Sequence, residues 1–132
     1  MEHWTHWHPF ENISAGRYLI DSVALSKKNI IIQLTSNDET KKLELLFENA
    51  DAYRLTNESW CFMIFAELTE QYGIKFYSQW NFFKITDSEY IKSVCAQSKS
   101  AQEKLQHFCI LGTDEALDIV AHSEPKINII KQ

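Results

Sequence analysis

Glycine and proline are scarce in this sequence, which has three glycines and two prolines among 132 residues. Collagen-like and linker-like chains need far more of these residues, so both classes are excluded. No apolar run approaches the length of about 18 residues that marks a membrane-spanning helix. The chain is 45% hydrophobic and 13% aromatic, which is the composition of a folded protein. Its length predicts a single domain over residues 1–132.

Positive charge is also in deficit in this chain. Thirteen lysines and arginines face eighteen aspartates and glutamates, which gives a formal net charge of −5. Nucleic acids and anionic lipid surfaces are bound through clustered cations. We therefore expect no direct nucleic-acid partner and no membrane partner, and an electrostatic field that steers a basic protein toward this one.

Cysteine is present without a recognisable framework. The chain has an odd number of cysteines, three, at the widely spaced positions Cys61, Cys95 and Cys109, and no Cys-x-x-Cys pair occurs. We therefore expect neither a disulfide framework nor a zinc knuckle, and the apolar surroundings of each cysteine predict buried, reduced thiols. The first residues lack the charged-then-apolar pattern of a secretory signal, so we expect a cytoplasmic protein.

The first third of the chain has the hydrophobic period of half-buried strands. Apolar residues alternate with polar ones through Asn29–Leu34 and again through Lys42–Glu48. The Ser-Asn-Asp composition between these segments predicts a hairpin with its tip near Asp38 and Glu39. β-favouring residues predict further strands at Arg17–Leu25, Ala50–Leu55, Lys75–Ile85, Leu105–Leu111 and Ile127–Ile130.

Two segments change to the period of a helix. Asn57 is a suitable N-cap, apolar residues then recur every four positions, and Gly73 stands where the helix would stop. Thr86 and Glu89 have the spacing of a capping box, with Thr86 as the N-cap of a second helix. Ala116–Ala121 is compatible with a strand or a short helix, and we favour a strand. The expected fold is α+β, an antiparallel sheet with two main helices in a single domain.

Motifs for catalysis and metal binding are weak. No phosphate-binding glycine loop, Gly-x-Ser-x-Gly or His-Glu-x-x-His pattern occurs. His3, His6 and His8 are close enough to hold a metal ion, but no fourth ligand stands nearby. The alternative is an aromatic strand whose tryptophans pack on the sheet. His107 shares a strand face with Cys109, without a nucleophile signature around them. We therefore expect no catalytic residues, no metal site and no cofactor.

Several short runs resemble a group of small acidic bacterial proteins. These runs are Ala52–Ser59, Phe83–Ile91, His107–Leu111, Asp118–Val120 and Glu124–Pro125. Across roughly residues 50–126 the chain is similar to the immunity proteins of polymorphic toxin and contact-dependent growth inhibition systems. The resemblance implies a non-catalytic inhibitor that binds a cognate toxin domain, often a nuclease, one to one.

Acidic side chains are the candidate contacts for such a toxin. Nuclease sites are basic because they hold phosphates, so an acidic protein can occupy them and associate quickly. Aromatic side chains would anchor the centre of the interface. We expect the toxin-binding residues to be Glu67, Glu70, Asp114, Glu115 and Asp118, followed by Asp38 and Glu39.

Two other functions are compatible with the sequence. A small-ligand or protein-binding module without a toxin partner would show a defined apolar pocket, lined by Trp60, Trp80 or Phe82. An unrecognised hydrolase would need a thiol that reacts at neutral pH. Its candidate residues are Cys61, Cys95 or Cys109 with His107 or His122.

Overall fold

Strands dominate the first and last thirds of the chain, and helices fill the middle. The computed structural model describes residues 2–8, 17–98, 104–112 and 115–130, without the side chains of residues 58–60 and 97–98. In chain order the elements are β1 (His3–His6), β2 (Tyr18–Ser26), β3 (Asn29–Ser36), β4 (Lys42–Phe47), β5 (Ala52–Asn57), α1 (Glu58–Tyr72), α2 (Lys75–Ser78), β6 (Phe82–Thr86), α3 (Glu89–Ser98), β7 (Gln106–Leu111), β8 (Glu115–Ala121) and β9 (Lys126–Ile130).

The strands form two antiparallel sheets. The central sheet has the order β1-β6-β7-β8-β5, and the outer sheet has the order β2-β3-β4-β9. The predicted hairpin is confirmed, since β3 and β4 pair with Leu34 opposite Leu43. The late strands divide, because β7 and β8 join the central sheet while β9 pairs with β4. The α+β class, the two main helices and the strand at Ala116–Ala121 are confirmed.

The main core lies between the two sheets. Ile30, Ile32 and Leu34 of β3 are at most 2% exposed, as their alternation predicted. They belong to one apolar cluster with Phe108 and Leu117 of the central sheet. Burying a side chain of this size contributes roughly 1.5–3 kcal/mol, so this layer is a large source of stability.

Helices α1 and α3 cover the opposite face of the central sheet. Leu68 of α1 packs with Phe83 and Cys109, and Ile91 of α3 packs with Val120. Strands β7 and β8 are therefore buried on both faces, which explains why their sequences are nearly continuous apolar runs. Within the described ranges, no helix combines the length and the apolar character needed to cross a membrane.

The start of α3 and the segment before β6 differ from the prediction. Thr86 is not the N-cap, because it is the last residue of β6 and pairs with His3. Ser88 takes that role, and its Oγ accepts a hydrogen bond from the backbone N–H of Ile91 at 3.0 Å. Lys75–Ile85 is not extended throughout, because it opens with the short helix α2 before β6 begins.

Helix α1 ends at Gly73, as the sequence predicted. The φ angle of Gly73 is +89°, and its N–H donates to the carbonyl oxygen of Thr69 at 2.9 Å. Gly73→Ala should lower the free energy of unfolding by about 1–2 kcal/mol, because a side chain disfavours this left-handed backbone. Nothing lies within 4 Å of an added Cβ, so no clash adds to that cost.

Urea denaturation of Gly73→Ala and Gly73→Asn measures this conformational effect. Asparagine tolerates the left-handed region better than alanine does, so Gly73→Asn should lose less stability. Equal losses in the two variants would contradict the conformational explanation and point to some other role for this position.

Candidate functional site

The acidic candidates are distributed over separate elements. They occupy the β3–β4 turn (Asp38, Glu39), helix α1 (Glu67, Glu70) and strand β8 (Glu115, Asp118). Asp114 lies outside the described residues. The outer sheet and α1 lie on opposite faces of the central sheet. The acids of the β3–β4 turn and those of α1 therefore belong to different layers of the molecule.

Asp38 organises the turn in which it stands. Its carboxylate accepts hydrogen bonds from the hydroxyls of Ser36 and Thr40, both at 2.6 Å, and from the Thr40 N–H at 3.1 Å. These hydrogen bonds lower the pKa of Asp38 to about 2. The neighbouring Glu39 is exposed and has a φ of +62°. Asp38 thus has a local structural role beside any role in binding.

Asp118 is not a surface acid, contrary to what the interface prediction requires of it. It is 4% exposed, because β8 is a central strand whose helix-facing side is covered by α1 and α3. Its carboxylate accepts hydrogen bonds from the side chains of His107 and Arg54. Glu115, at the start of the same strand, is half-buried. Strand β8 therefore does not present the acidic patch that the sequence indicated.

Helix α1 does present such a patch. Glu67 and Glu70 are exposed, and beside them Phe62 and Met63 are 69% and 54% exposed. Helical spacing places these four residues within an arc of about 140°, on the side away from the buried Leu68. The helix contains no lysine or arginine. We call the set Phe62, Met63, Glu67 and Glu70 the α1 face.

The apolar half of the α1 face was missed by the sequence analysis. Phe62 and Met63 are large apolar residues that fall outside the stripe of every fourth residue through Ile64 and Leu68. An apolar residue off the buried stripe of an amphipathic helix is the signal that indicates an exposed contact. The helix was instead interpreted as apolar inside and acidic outside.

A chain of polar side chains crosses the helix-covered side of the central sheet. Ser88, which precedes α3, lies with its Oγ 2.6 Å from Nδ1 of His107 on β7. Nε2 of His107 lies 2.7 Å from Oδ1 of Asp118 on β8. Oδ2 of Asp118 accepts from Nε and a terminal nitrogen of Arg54 on β5, at 3.2 and 3.1 Å. Ser88, His107 and Asp118 are each at most 4% exposed.

The directions of the hydrogen bonds along this chain follow from the charge on Asp118. Burial acts to raise the pKa of Asp118, but the hydrogen bond and charge of His107 and the charge of Arg54 outweigh it, and the net pKa is lowered. The ionised carboxylate accepts a hydrogen bond from the Nε2–H of His107. In the imidazole tautomer that carries its proton on Nε2, Nδ1 is an acceptor, and the hydroxyl of Ser88 donates to it. The guanidinium of Arg54 also lies 4.2 Å from the ring centre of Tyr90.

The cysteine–histidine pairs expected of a thiol hydrolase are not formed. Cys61, Cys95 and Cys109 are all buried, and burial raises the pKa of the Cys61 and Cys109 thiols. His107 makes its hydrogen bonds to Ser88 and Asp118 rather than to a thiol. The described contact of His107 on this side is therefore with a hydroxyl, that of Ser88, and not with a thiol.

The N-terminal histidines pack against aromatic rings. His3 lies beside Tyr72, His6 stacks on Phe76 and His8 lies beside Trp80, with ring centres 6.2, 4.5 and 4.9 Å apart. A ring nitrogen of His6 also lies 2.7 Å from the carbonyl oxygen of Phe76. In the part of the chain that the structure describes, no three metal-ligating side chains converge.

Two cavities flank His107. One, of about 310 Å³, is lined by Ser88 and His107 together with Lys84, Ile91 and Leu105. The other, of about 290 Å³, lies between α1 and the sheet, with Arg54, Glu67 and Asp118 in its wall. Trp80 and Phe82, proposed to line a ligand pocket, belong instead to the buried core between the sheets. The side chain of Trp60 lies outside the described residues.

No protein-family model, curated protein or solved structure matches this chain. Its function is therefore inferred from its own geometry, which offers two distinct features. One is the exposed, mixed apolar and acidic α1 face. The other is the buried polar chain from Ser88 to Arg54 with the cavities beside it.

Proposed function

We propose that this protein is a cytoplasmic immunity protein that neutralises a cognate bacterial toxin domain by one-to-one binding. The observation that carries the proposal is the α1 face, where two exposed large apolar side chains adjoin two exposed carboxylates. Such inhibition is a binding event that requires no cofactor and no catalytic step. The resemblance to immunity proteins, seen across roughly residues 50–126, points the same way.

The composition of the α1 face fits a basic protein partner. Phenylalanine and methionine are enriched at the desolvated centres of protein interfaces. Glu67 and Glu70 lie next to them without a lysine or arginine on the helix to neutralise them. A toxin of the nuclease class carries lysines and arginines around its active site to hold phosphates. The carboxylates would meet these cations while Phe62 and Met63 fill an apolar contact.

Growth rescue tests the proposal as a whole. Candidate toxin domains encoded by neighbouring genes would be induced in cells with and without this chain, and each pair would be checked for co-purification. Rescue together with a stable one-to-one complex supports immunity. Failure of both, with this chain folded, would remove the proposal.

Charge reversal on the α1 face tests the location of the interface. Glu67→Lys combined with Glu70→Lys should weaken toxin binding about 10- to 100-fold, mainly through a slower association rate that becomes less salt-dependent. Both residues are exposed, so the thermal melt should hardly change. Surface plasmon resonance at low and moderate salt measures the association rate directly.

The matched control reverses two exposed acids outside α1, Asp21→Lys on β2 with Glu48→Lys directly after β4, and so changes the net charge by the same amount. Glu48 pairs with the exposed Lys126, so its reversal should cost little stability. If the field acts only through net charge, both double variants slow association equally. If the α1 face is the interface, the control retains most of its affinity. Equal binding by the wild type and the Glu67/Glu70 variant would exclude α1 as the contact surface.

A small-ligand module without a toxin partner is the alternative, and the two cavities beside His107 favour it. Their volumes of about 310 and 290 Å³ stand at the lower end of known ligand pockets. A ligand that binds the folded state raises the melting temperature, and the rise grows with the logarithm of the ligand concentration once the site is saturated. A metabolite screen that finds such a shift, without any toxin rescue, would favour this function.

A further inference from the structure

Ser88 stands on a sharp connection between a strand and a helix. Strand β6 ends at Thr86, Asp87 adopts a φ of +52°, and α3 begins directly after Ser88. A non-glycine residue with positive φ is uncommon and is often held at a functional site. In α/β-hydrolases the nucleophilic serine stands on a strained strand-to-helix turn, and here the residue with positive φ directly precedes the serine.

The side chains behind Ser88 are in the order of a nucleophile, a base and an orienting carboxylate. The 2.6 Å contact from Ser88 Oγ to His107 Nδ1 and the 2.7 Å contact from His107 Nε2 to Asp118 Oδ1 are both within hydrogen-bond range. The ring nitrogens have the roles opposite to those in the best-known triads, but the chemistry needs only one acceptor and one donor nitrogen. The pairing of Asp118 with Arg54 keeps the carboxylate ionised, as the base requires.

An oxygen-binding donor also lies beside Ser88. The backbone N–H of Glu89, the residue directly after the serine, donates to a carboxylate oxygen of Glu2 at 2.8 Å. The residue after the nucleophile supplies one donor of the oxyanion hole in α/β-hydrolases. This N–H therefore accommodates a negatively charged oxygen, and Glu2 occupies the position in the present state.

The cavity of about 310 Å³ beside Ser88 offers space for a small substrate at this serine. Ser88 and His107 contribute to its wall, Ile91 and Leu105 supply apolar surface, and Lys84 supplies a cation. A volume of about 310 Å³ suits a compact molecule rather than a long chain. A short acyl group would rest on the apolar side, with its carbonyl carbon toward Ser88 Oγ.

We propose that Ser88 and His107 form an acyl-transfer site that hydrolyses short-chain carboxylic esters. Ser88 Oγ attacks the carbonyl carbon of the ester, and the hydroxyl proton of Ser88 passes to Nδ1 of His107. The bond from that carbon to the alcohol oxygen breaks, and the departing alcohol takes the proton from Nδ1. Water then attacks the acyl-serine, gives a proton to Nδ1, and releases the acid as the proton returns to Ser88 Oγ. Asp118 acts as a positioning residue that holds the imidazole and stabilises its charged form.

This activity is separate from toxin binding. It uses the connection before α3 and the cavity there, which no residue of α1 lines, whereas the proposed toxin contact uses the α1 face, of which only Glu67 borders the other cavity beside His107. Each function can therefore be measured when the other is lost, and a failure of one proposal does not contradict the other.

Labelling with a small fluorophosphonate probe tests the nucleophile. The folded wild-type chain should gain one adduct by intact mass, located at Ser88 by peptide mapping. Ser88→Asn keeps an N-cap acceptor for α3 but has no nucleophile, so it should fold and lose the adduct. Ser22→Ala, at an exposed serine of β2, should label as the wild type does. An adduct that persists in Ser88→Asn would overturn the assignment.

A cysteine variant gives a second test that does not depend on probe size. In Ser88→Cys the new thiol should be alkylated by iodoacetamide at pH 7 at least about 10-fold faster than in Ser88→Cys combined with His107→Gln, since a neighbouring base raises the thiolate fraction. Equal alkylation rates, together with no phosphonate adduct on the wild type, would overturn the proposal.

The role of Asp118 has its own kinetic signature. Asp118→Asn should lower kcat for p-nitrophenyl acetate by about 100-fold or more, because an amide favours the wrong imidazole tautomer. Asp118 does not line this cavity, so KM should stay within about twofold if it acts only through His107. A rise in KM with unchanged kcat would contradict the positioning role.

Discussion

Replacing Phe108 by alanine should lower the free energy of unfolding by about 3–5 kcal/mol. The Phe108 side chain is 0% exposed and lies in the cluster between the two sheets. Its ring centre is 4.9 Å from that of Trp7 and 5.1 Å from that of Phe47 on the outer sheet. The ring therefore joins both sheets, and its removal leaves a cavity that the surrounding strands cannot easily close.

Urea denaturation followed by circular dichroism measures this loss by linear extrapolation. Phe62→Ala is the matched control, because it removes the same ring from an exposed position of α1. It should change stability by no more than about 0.5 kcal/mol. A comparable loss in the two variants would contradict the layer arrangement, whereas weaker toxin binding by Phe62→Ala alone would locate the interface on α1.

The outer sheet was predictable because its pattern depends on one buried face. Ile30, Ile32 and Leu34 alternate with less buried residues. This period of two can be recognised in the sequence without knowing which strands are neighbours. The hairpin at Asp38 and Glu39 follows from the short polar connection between two such strands. Local pattern alone therefore determined β3, β4 and the turn between them.

The division into two sheets was not predictable in the same way. Strands β7 and β8 are apolar on both faces, so the period of two disappears and neither face identifies its neighbour. Which strand pairs with β5 or β9 depends on contacts between residues far apart in the chain. A sequence without aligned relatives carries little information about such pairings.

Competition between two elements explains the error at the start of α3. Thr86 and Glu89 have the spacing of a capping box, but pairing with β1 extends β6 through Thr86. Ser88, two residues later, is an equally good cap and is the one that α3 uses. The pairing of β6 with β1, and not the local preference for a cap, therefore determines where α3 begins.

The polar chain from Ser88 to Arg54 had one local signal, which the sequence analysis interpreted as surface charge. Asp118 is a lone carboxylate within the apolar run from Leu117 to Val120. An acid in such a run is seldom buried unless it is paired. The identities of its partners still required the register that brings Arg54 opposite Asp118 and His107 beside it.

Asp118→Ala should lower the free energy of unfolding by about 1–3 kcal/mol at neutral pH, because it leaves a buried hydrogen-bond donor without its acceptor. The donor that loses its acceptor is Nε2 of His107, a residue that is only 2% exposed. Arg54 is half exposed and turns to water at little cost. Thermal and urea denaturation of the two proteins measure the difference.

Asp51→Ala is the matched control, because it removes the acid of a second histidine–carboxylate pair that is exposed. Nδ1 of His122 lies 2.8 Å from the carboxylate of Asp51, and the His122 side chain is 56% exposed. Surface pairs contribute at most about 1 kcal/mol, so Asp51→Ala should stay close to the wild type. Equal losses in the two variants would show that Asp118 is not buried as described.

The stabilisation that Asp118 provides should also depend on pH, and its direction follows from the pKa of this carboxyl group. The pKa of Asp118 is lower in the folded chain than in the unfolded one, where it is about 4. The unfolded state therefore binds the proton first as the pH falls, and the stabilisation from Asp118 is complete only above that value. The contribution of the ionised Asp118 to the stability difference between the wild type and Asp118→Ala should shrink as the pH falls below about 4. A difference that grew on acidification would mean that Asp118 is protonated in the folded state, and would remove the ionised carboxylate on which the Ser88–His107 site depends.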